Sequence, residues 1–160
     1  MLEEQVLDVS LHDRAAFHCG VPALDEFLHK HAAQQNAKGI CTVFVLVDDA
    51  APSKILGFYM LSAAQIGVQQ LSESERKKLP RYPVPCFRIG RLARAVESRG
   101  AGLGEVLMGC AVDRCLHARS LVGAYALMVD AKDERAKSFY EQYGFVPCAD
   151  TPMTLYLPLG

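Results

Sequence analysis

Three glycines at alternate positions, Gly100, Gly102 and Gly104, follow Arg99 in the stretch ESRGAGLGEVLMG and stand immediately before an apolar run. Glycine lets a backbone come close to a ligand, and the first N–H groups of a helix lack intrahelical acceptors. A glycine-rich helix start beside an arginine therefore suits an anion such as a phosphate. Two nucleotide motifs are excluded. No Gly-Lys-Ser/Thr follows, which removes a Walker A loop, and GxGxxG fails because Glu105 or Leu107 stands where the last glycine is required. A tight strand-to-helix turn with no ligand is the other reading of the same residues. About thirty residues on, ERAKSFYEQYGF places Ala136, Phe139 and Tyr140 on one side of a helix closed by Gly144. On these residues alone, Tyr140, an aromatic at helical spacing beside Phe139, reads as a core position.

Charge adds a third feature. The chain carries a net charge of -1, yet Arg76, Lys77, Lys78, Arg81, Arg88, Arg91, Arg94 and Arg99 face only Glu97 across one segment. That run is either a solvated face or a local surface for a polyanion such as RNA, and the neutral total excludes an indiscriminate nucleic-acid binder.

The elements that must position these residues follow from periodicity. VPALDEFLHKHAAQQNAKG places Leu24, Phe27, Leu28 and Ala32 on one helical stripe and stops at Gly39. ICTVFVLV and ILGFYMLSAA, joined by the turn DDAAPSK, form an antiparallel hairpin. SESERKKLP, with a capping box between Ser72 and Glu75 and a stop at Pro80, reads as a short basic helix or loop. VPCFRIGRLARA is a strand leading into the glycine loop. LGEVLMGCAVDRCLHA is a helix with Val106, Leu107, Cys110, Ala111 and Leu116 at helical spacing, and VGAYALMVDA is a buried strand. After the DERAKSFYEQYG helix, FVPC and MTLYLPL close the chain as strands. The expected order is α, ββ, short α, β, α, β, α, β in one mixed domain spanning residues 1–160. MLEEQVLDVS has acids where a signal peptide needs a basic start followed by a long apolar region. No apolar run reaches the roughly 20 residues of a membrane span, so a soluble, cytoplasmic protein is expected. Cys19, Cys41, Cys86, Cys110, Cys115 and Cys148 have no metal-site spacing and read as small buried hydrophobes, while His29 and His31 read as surface or packing residues.

The R-x-x-G-x-G loop and the AxxFYxxxGF helix, paired at this separation, resemble the GNAT family of acetyl-coenzyme A dependent N-acetyltransferases. FHCGVPALDEFLHKHAAQQ, LGFYMLSAA, KKLPRYPVPCFRIGRLA and RGAGLGEVLM extend the likeness over nearly the whole chain to the GNAT toxins of toxin–antitoxin operons. Its matching positions are Phe17, Cys19, Gly20, Leu24, Asp25, Phe27, Leu28 and Gly90 to Ala93. The resemblance implies an α/β GNAT fold, a bent and mostly antiparallel sheet with flanking helices and a splayed central strand pair. It implies acetyl-CoA as cosubstrate, no metal, transfer to the α-amino group of aminoacyl-tRNA, and restraint by a small ribbon-helix-helix antitoxin; the family also suggests a homodimer. Carried over by position, the cofactor site falls on Leu92, Ala93 and Arg94, on Arg99, Gly100, Ala101, Gly102, Leu103 and Gly104, and on Asp133, with Tyr140 as the catalytic tyrosine. Two departures stand out: Arg94-Ala95 where the family usually has Val-Asp, and Asp133 where asparagine is common.

Chemistry bears on the acceptor. A lysine ammonium of pKa about 10.4 costs about 4–5 kcal/mol to neutralise at pH 7, whereas an α-amine near pKa 8 needs far less help from a base. CFRIGRLARA contains no acid, which favours an α-amino acceptor. Arg76, Lys77, Lys78, Arg81 and Arg88 then become candidate contacts to a tRNA backbone. The competing readings are a GNAT enzyme acting on a small amine or a protein N-terminus, and a non-catalytic acyl-CoA-binding regulatory module.

Overall fold

A computed structural model describes residues 1–160 and contains one seven-stranded sheet in which, numbered in chain order, β1 (Leu2–Val6), β2 (Thr42–Asp48), β3 (Gly57–Ile66), β4 (Val84–Arg94), β5 (Ala126–Asp130), β7 (Thr154–Pro158) and β6 (Val146–Pro147) lie side by side in that order. The chain groups into two compact units, one of Met1–Ser62 with Gly90–Asp113 and the other of Ala63–Ile89 with Arg114–Gly160. The division passes through the third strand, the fourth strand and the longest helix.

In the first unit, β1 (Leu2–Val6) pairs antiparallel with β2 (Thr42–Asp48), and β2 pairs antiparallel with β3 (Gly57–Ile66). β1 is an element that the sequence pattern does not reveal. Its residues LEEQV are exposed or half-buried throughout, so the strand carries no alternating apolar signal. β2 shows the opposite pattern: Val43 to Val47 are all buried, which explains its continuous β-branched run.

The first helical segment is α1 (Pro22–Glu26), a π turn over Phe27–His31 and α2 (Ala32–Ala37), followed by Gly39 at φ +74°. Phe27, Leu28 and Ala32 are buried as their spacing requires. Phe27 stacks on Phe58 at 6.1 Å and Phe17 meets Phe58 edge-on at 5.5 Å, which centres the core on β3. Gly57 in β3 is a close approach: a Cβ there would lie 2.7 Å from Leu107 Cδ1 and 3.0 Å from the Ala93 carbonyl.

The second unit holds α3 (Glu73–Arg76), β5 (Ala126–Asp130), α5 (Glu134–Gln142), β6 (Val146–Pro147) and β7 (Thr154–Pro158). β5 runs parallel to β4 (Val84–Arg94) from Cys86↔Ala126 to Ile89↔Val129, where the ladder ends although β4 continues to Arg94. β5 and β6 each pair antiparallel with β7. Ile66, Val84, Cys86, Ala126, Met128, Cys148 and Tyr156 form this unit's core.

α4 (Leu103–Ala118) has the bounds the sequence suggests, but its buried stripe is Leu103, Leu107, Met108, Ala111 and Cys115. Leu116, expected on that stripe, is exposed, because the apolar face is continued by Cys115 one position earlier. Five of the six cysteines are buried and Cys110 is half-buried, all as free thiols. Burial pushes Cys86 up to about 11 and Cys115 up to about 12, which keeps both protonated and unreactive.

Candidate active site

The glycine loop is built from backbone conformations that favour glycine. Gly100 and Gly102 adopt φ +81° and +73°, where a Cβ costs roughly 1–2 kcal/mol. The first bond of α4 runs from Val106 N–H to the Gly102 carbonyl at 3.2 Å. The N–H groups of Leu103, Gly104 and Glu105 therefore have no intrahelical acceptor and form a donor set suited to an anion.

The residues entering the loop are held by the segment that precedes α1 and by the residue before β3. Val96 N–H donates to the His18 carbonyl and Ala95 N–H to the Leu56 carbonyl, both at 2.8 Å. Cys19 N–H donates to Asp25 Oδ1 at 2.8 Å. Gly20, at φ +90°, lies so close to Arg99 that a Cβ there would be 3.3 Å from Arg99 Nη2. The Cys19-Gly20 and Asp25 positions thus shape the turn over which the Arg99 side chain passes. That use of Gly20 is not readable from spacing, since 79 residues separate it from Arg99.

Along β4, Gly90 leaves room for Met60, whose Cε would stand 2.8 Å from a Cβ. Arg91 places its guanidinium 4.1 Å from the Phe27 ring centroid and donates to Met60 Sδ at 3.4 Å. Ala93 is buried, Leu92 and Arg94 are half-buried, and Arg94 Nη1 is buried with no hydrogen-bond partner. A buried donor left unsatisfied costs about 1–3 kcal/mol, so Arg94 gains from an acceptor brought by a ligand. The loop donors and Arg99 together fit an anionic cofactor.

Tyr140 lies on α5, which is capped at both ends. Asp133 Oδ1 accepts from Ala136 N–H at 2.8 Å, and Gly144 terminates the helix at φ +92°. This cap is the role the structure gives to Asp133, the exposed residue expected from its position to contact the cofactor. The Tyr140 ring packs against Phe139 at 5.5 Å and Phe145 at 5.7 Å. Burial raises the pKa of its hydroxyl, which keeps the proton in place at neutral pH.

Of the expected basic contacts, Arg76, Lys77 and Arg81 line one open groove of about 580 Å³, while Lys78 is exposed outside its lining. Arg88 is separate from that groove. Its guanidinium pairs with Asp130, which also accepts from Thr154 Oγ1 at 2.8 Å.

The spacing of Ser72 and Glu75 serves tertiary contacts as well as the start of α3. Ser72 is the N-cap of α3 but makes no side-chain cap bond to the backbone; its hydroxyl donates to Glu75 Oε2 at 2.9 Å. Glu75 also accepts from the hydroxyls of Tyr125 and Tyr156, each at 2.5 Å. Burial pushes the Glu75 carboxyl up, but these donors outweigh it and hold the group below its ordinary range. Tyrosines 50 and 81 residues away fix α3, a long-range arrangement with no local sequence signal.

Comparison with known proteins agrees with this geometry. The model of the acetyltransferase (GNAT) domain matches residues 20–154. The tRNA-acetylating toxin of Mycobacterium tuberculosis (strain ATCC 25618 / H37Rv) is 31% identical over 145 residues, covering 91% of this chain and 85% of that protein. Among solved structures, AtaT complexed with acetyl-methionyl-tRNAfMet is 30% identical with a TM-score of 0.92, covering 99% of this chain and 95% of that one. A tyrosine-to-phenylalanine mutant of AtaT, bound to the C-terminus of the antitoxin AtaR and acetyl-CoA, is 26% identical with a TM-score of 0.83, covering 99% and 93%. The fold is the mixed α/β GNAT fold, and the chain belongs to the GNAT acetyltransferase family.

Proposed function

We propose that this chain is an acetyl-CoA-dependent N-acetyltransferase that modifies the α-amino group of aminoacyl-tRNA. On this reading it is a translation-blocking toxin of the cytoplasm, held in check by a small ribbon-helix-helix antitoxin, and residues 1–160 act as a single GNAT domain. A homodimer is part of the same proposal. The observation that carries it is the start of α4, where Gly100 and Gly102 at positive φ present a turn of open N–H donors beside Arg99. A relative that is a tRNA-acetylating toxin, and AtaT in complex with acetyl-methionyl-tRNAfMet, support the acceptor class.

Acetyl-CoA supplies an acyl thioester. Arg99 and the N–H groups at Leu103, Gly104 and Glu105 bind its pyrophosphate, with Gly100 and Ala101 completing the loop. The Leu92–Arg94 backbone orients the acetyl carbonyl, and Asp133 holds the start of the helix that carries Tyr140. The neutral α-amine forms the C–N bond as the C–S bond breaks; the Tyr140 hydroxyl gives its proton to the thiolate, the amine's surplus proton leaves to water, and the tyrosinate regains a proton from water. Arg76, Lys77, Lys78, Arg81 and Arg88 position the nucleic acid through its phosphates.

Release of free thiol from acetyl-CoA, followed with a thiol reagent in the presence and absence of charged tRNA, tests the proposal. Release dependent on aminoacylated tRNA is expected. Equal release with deacylated tRNA, or with amines and peptides alone, contradicts it.

A further inference from the structure

The groove beside α3 contains more than phosphate contacts require. Arg76, Lys77 and Arg81 stand against one lining carboxylate, Glu73, which lies 3.8 Å from Lys77 Nζ. The same lining includes Tyr82, 63% exposed, a large aromatic ring left in water at the wall of a cavity. Gln69 folds over Gly67, where its amide nitrogen would lie 2.6 Å from a Cβ, and offers both a donor and an acceptor. α3 is only four residues long and is not stable by itself, but Glu75 ties it to Tyr125 and Tyr156. The wall that carries Arg76 and Lys77 is therefore held in place before any ligand arrives.

Cations alone recognise a duplex backbone, in which base faces are stacked away. An exposed aromatic among cations matches a single strand, whose bases are free to stack while their phosphates meet the charges. The volume of about 580 Å³ admits a nucleotide. We infer that this groove is a subsite for one unpaired nucleotide, with its base stacked on Tyr82 and its flanking phosphates on Arg76, Lys77 and Arg81. The inference rests on the aminoacyl-tRNA reading, since the aminoacyl end of a tRNA is single-stranded.

Two measurements test it independently. The chain contains no tryptophan, so Tyr82→Trp places a lone fluorophore in the groove. Its emission is expected to be quenched by a short single-stranded oligoribonucleotide at low salt, and not by a blunt RNA duplex of equal charge or by polyglutamate. In acetyl transfer to charged tRNA, Tyr82→Leu is expected to raise KM about tenfold or more with kcat and acetyl-CoA affinity unchanged, and Tyr82→Phe to restore the parent value. Because Tyr82 is exposed, these variants keep the fold. Quenching by duplex or polyglutamate equal to that by the single strand overturns the inference, as does a Tyr82→Leu KM within twofold of the parent. If the parent fails to acetylate any charged tRNA, the proposed function falls, and the fluorescence titration still decides the groove.

Discussion

Tyr140 combines a ring packed against Phe139 and Phe145 with a hydroxyl that burial keeps protonated. Tyr140→Phe removes only the oxygen, so it separates the two roles. A fall in kcat of roughly 10²-fold or more is expected, with acetyl-CoA affinity and Tm little changed. Loss of stability and of cofactor binding together identifies a packing residue instead. At the loop, Gly102→Asp introduces both a Cβ at φ +73° and a negative charge among the N–H donors. Calorimetry is expected to show acetyl-CoA binding weakened about a hundredfold or more, with the protein still folded because the substituted residue is exposed. Binding as tight as in the parent moves the cofactor elsewhere. The positive-φ glycine turn and the helix that carries Tyr140 are legible in the sequence because their signals are local: glycines at alternate positions before a helix, and an aromatic pair at fixed distance from a closing glycine. Gly20 is not, because its proximity to Arg99 exists only after the chain has folded.

α3 shows how an element too short for its own stability is held by distant partners. Glu75→Gln replaces a charged acceptor of three hydroxyls with a neutral one, and is expected to cost about 1–2 kcal/mol at pH 7 in urea unfolding. The Glu75 carboxyl is held below its ordinary value in the folded chain, so the unfolded chain binds the proton first. Its stabilisation is complete above the ordinary carboxylate range and disappears as pH falls through the lowered value. The gap between parent and variant should therefore narrow on acidification; a gap independent of pH contradicts a charged Glu75. Most elements are legible because their periodicity is strong, as in α4, whose bounds match, and β2. The exceptions have physical causes. β1 buries no apolar row, the π turn at Phe27–His31 leaves the helical stripe unchanged, and the Ser72–Glu75 spacing serves tertiary hydroxyls as well as the helix start.

Across the whole molecule, a net charge of -1 conceals a basic segment, and the proposed substrate uses that asymmetry. Replacing Arg76, Lys77, Lys78 and Arg81 with glutamine is expected to raise the KM for charged tRNA. The log–log salt dependence should flatten by about 0.7 for each phosphate no longer neutralised, without changing acetyl-CoA affinity. An unchanged slope returns the segment to a solvated face. The family is legible because its two motifs lie within the chain at a set separation, whereas acceptor and antitoxin are properties of other molecules and reach this chain through its relatives. Everything proposed for the protein turns on transfer to an α-amino group on tRNA. Incubation with labelled acetyl-CoA and total charged tRNA, followed by nuclease digestion and mass spectrometry of the terminal adenosine adducts, reads that transfer out at the product. Label is expected on the α-nitrogen of an aminoacyl-adenosine, accumulating roughly a hundredfold or more slowly with Tyr140→Phe. Label confined to free amines or protein N-termini, with every aminoacyl-adenosine unmodified, contradicts it.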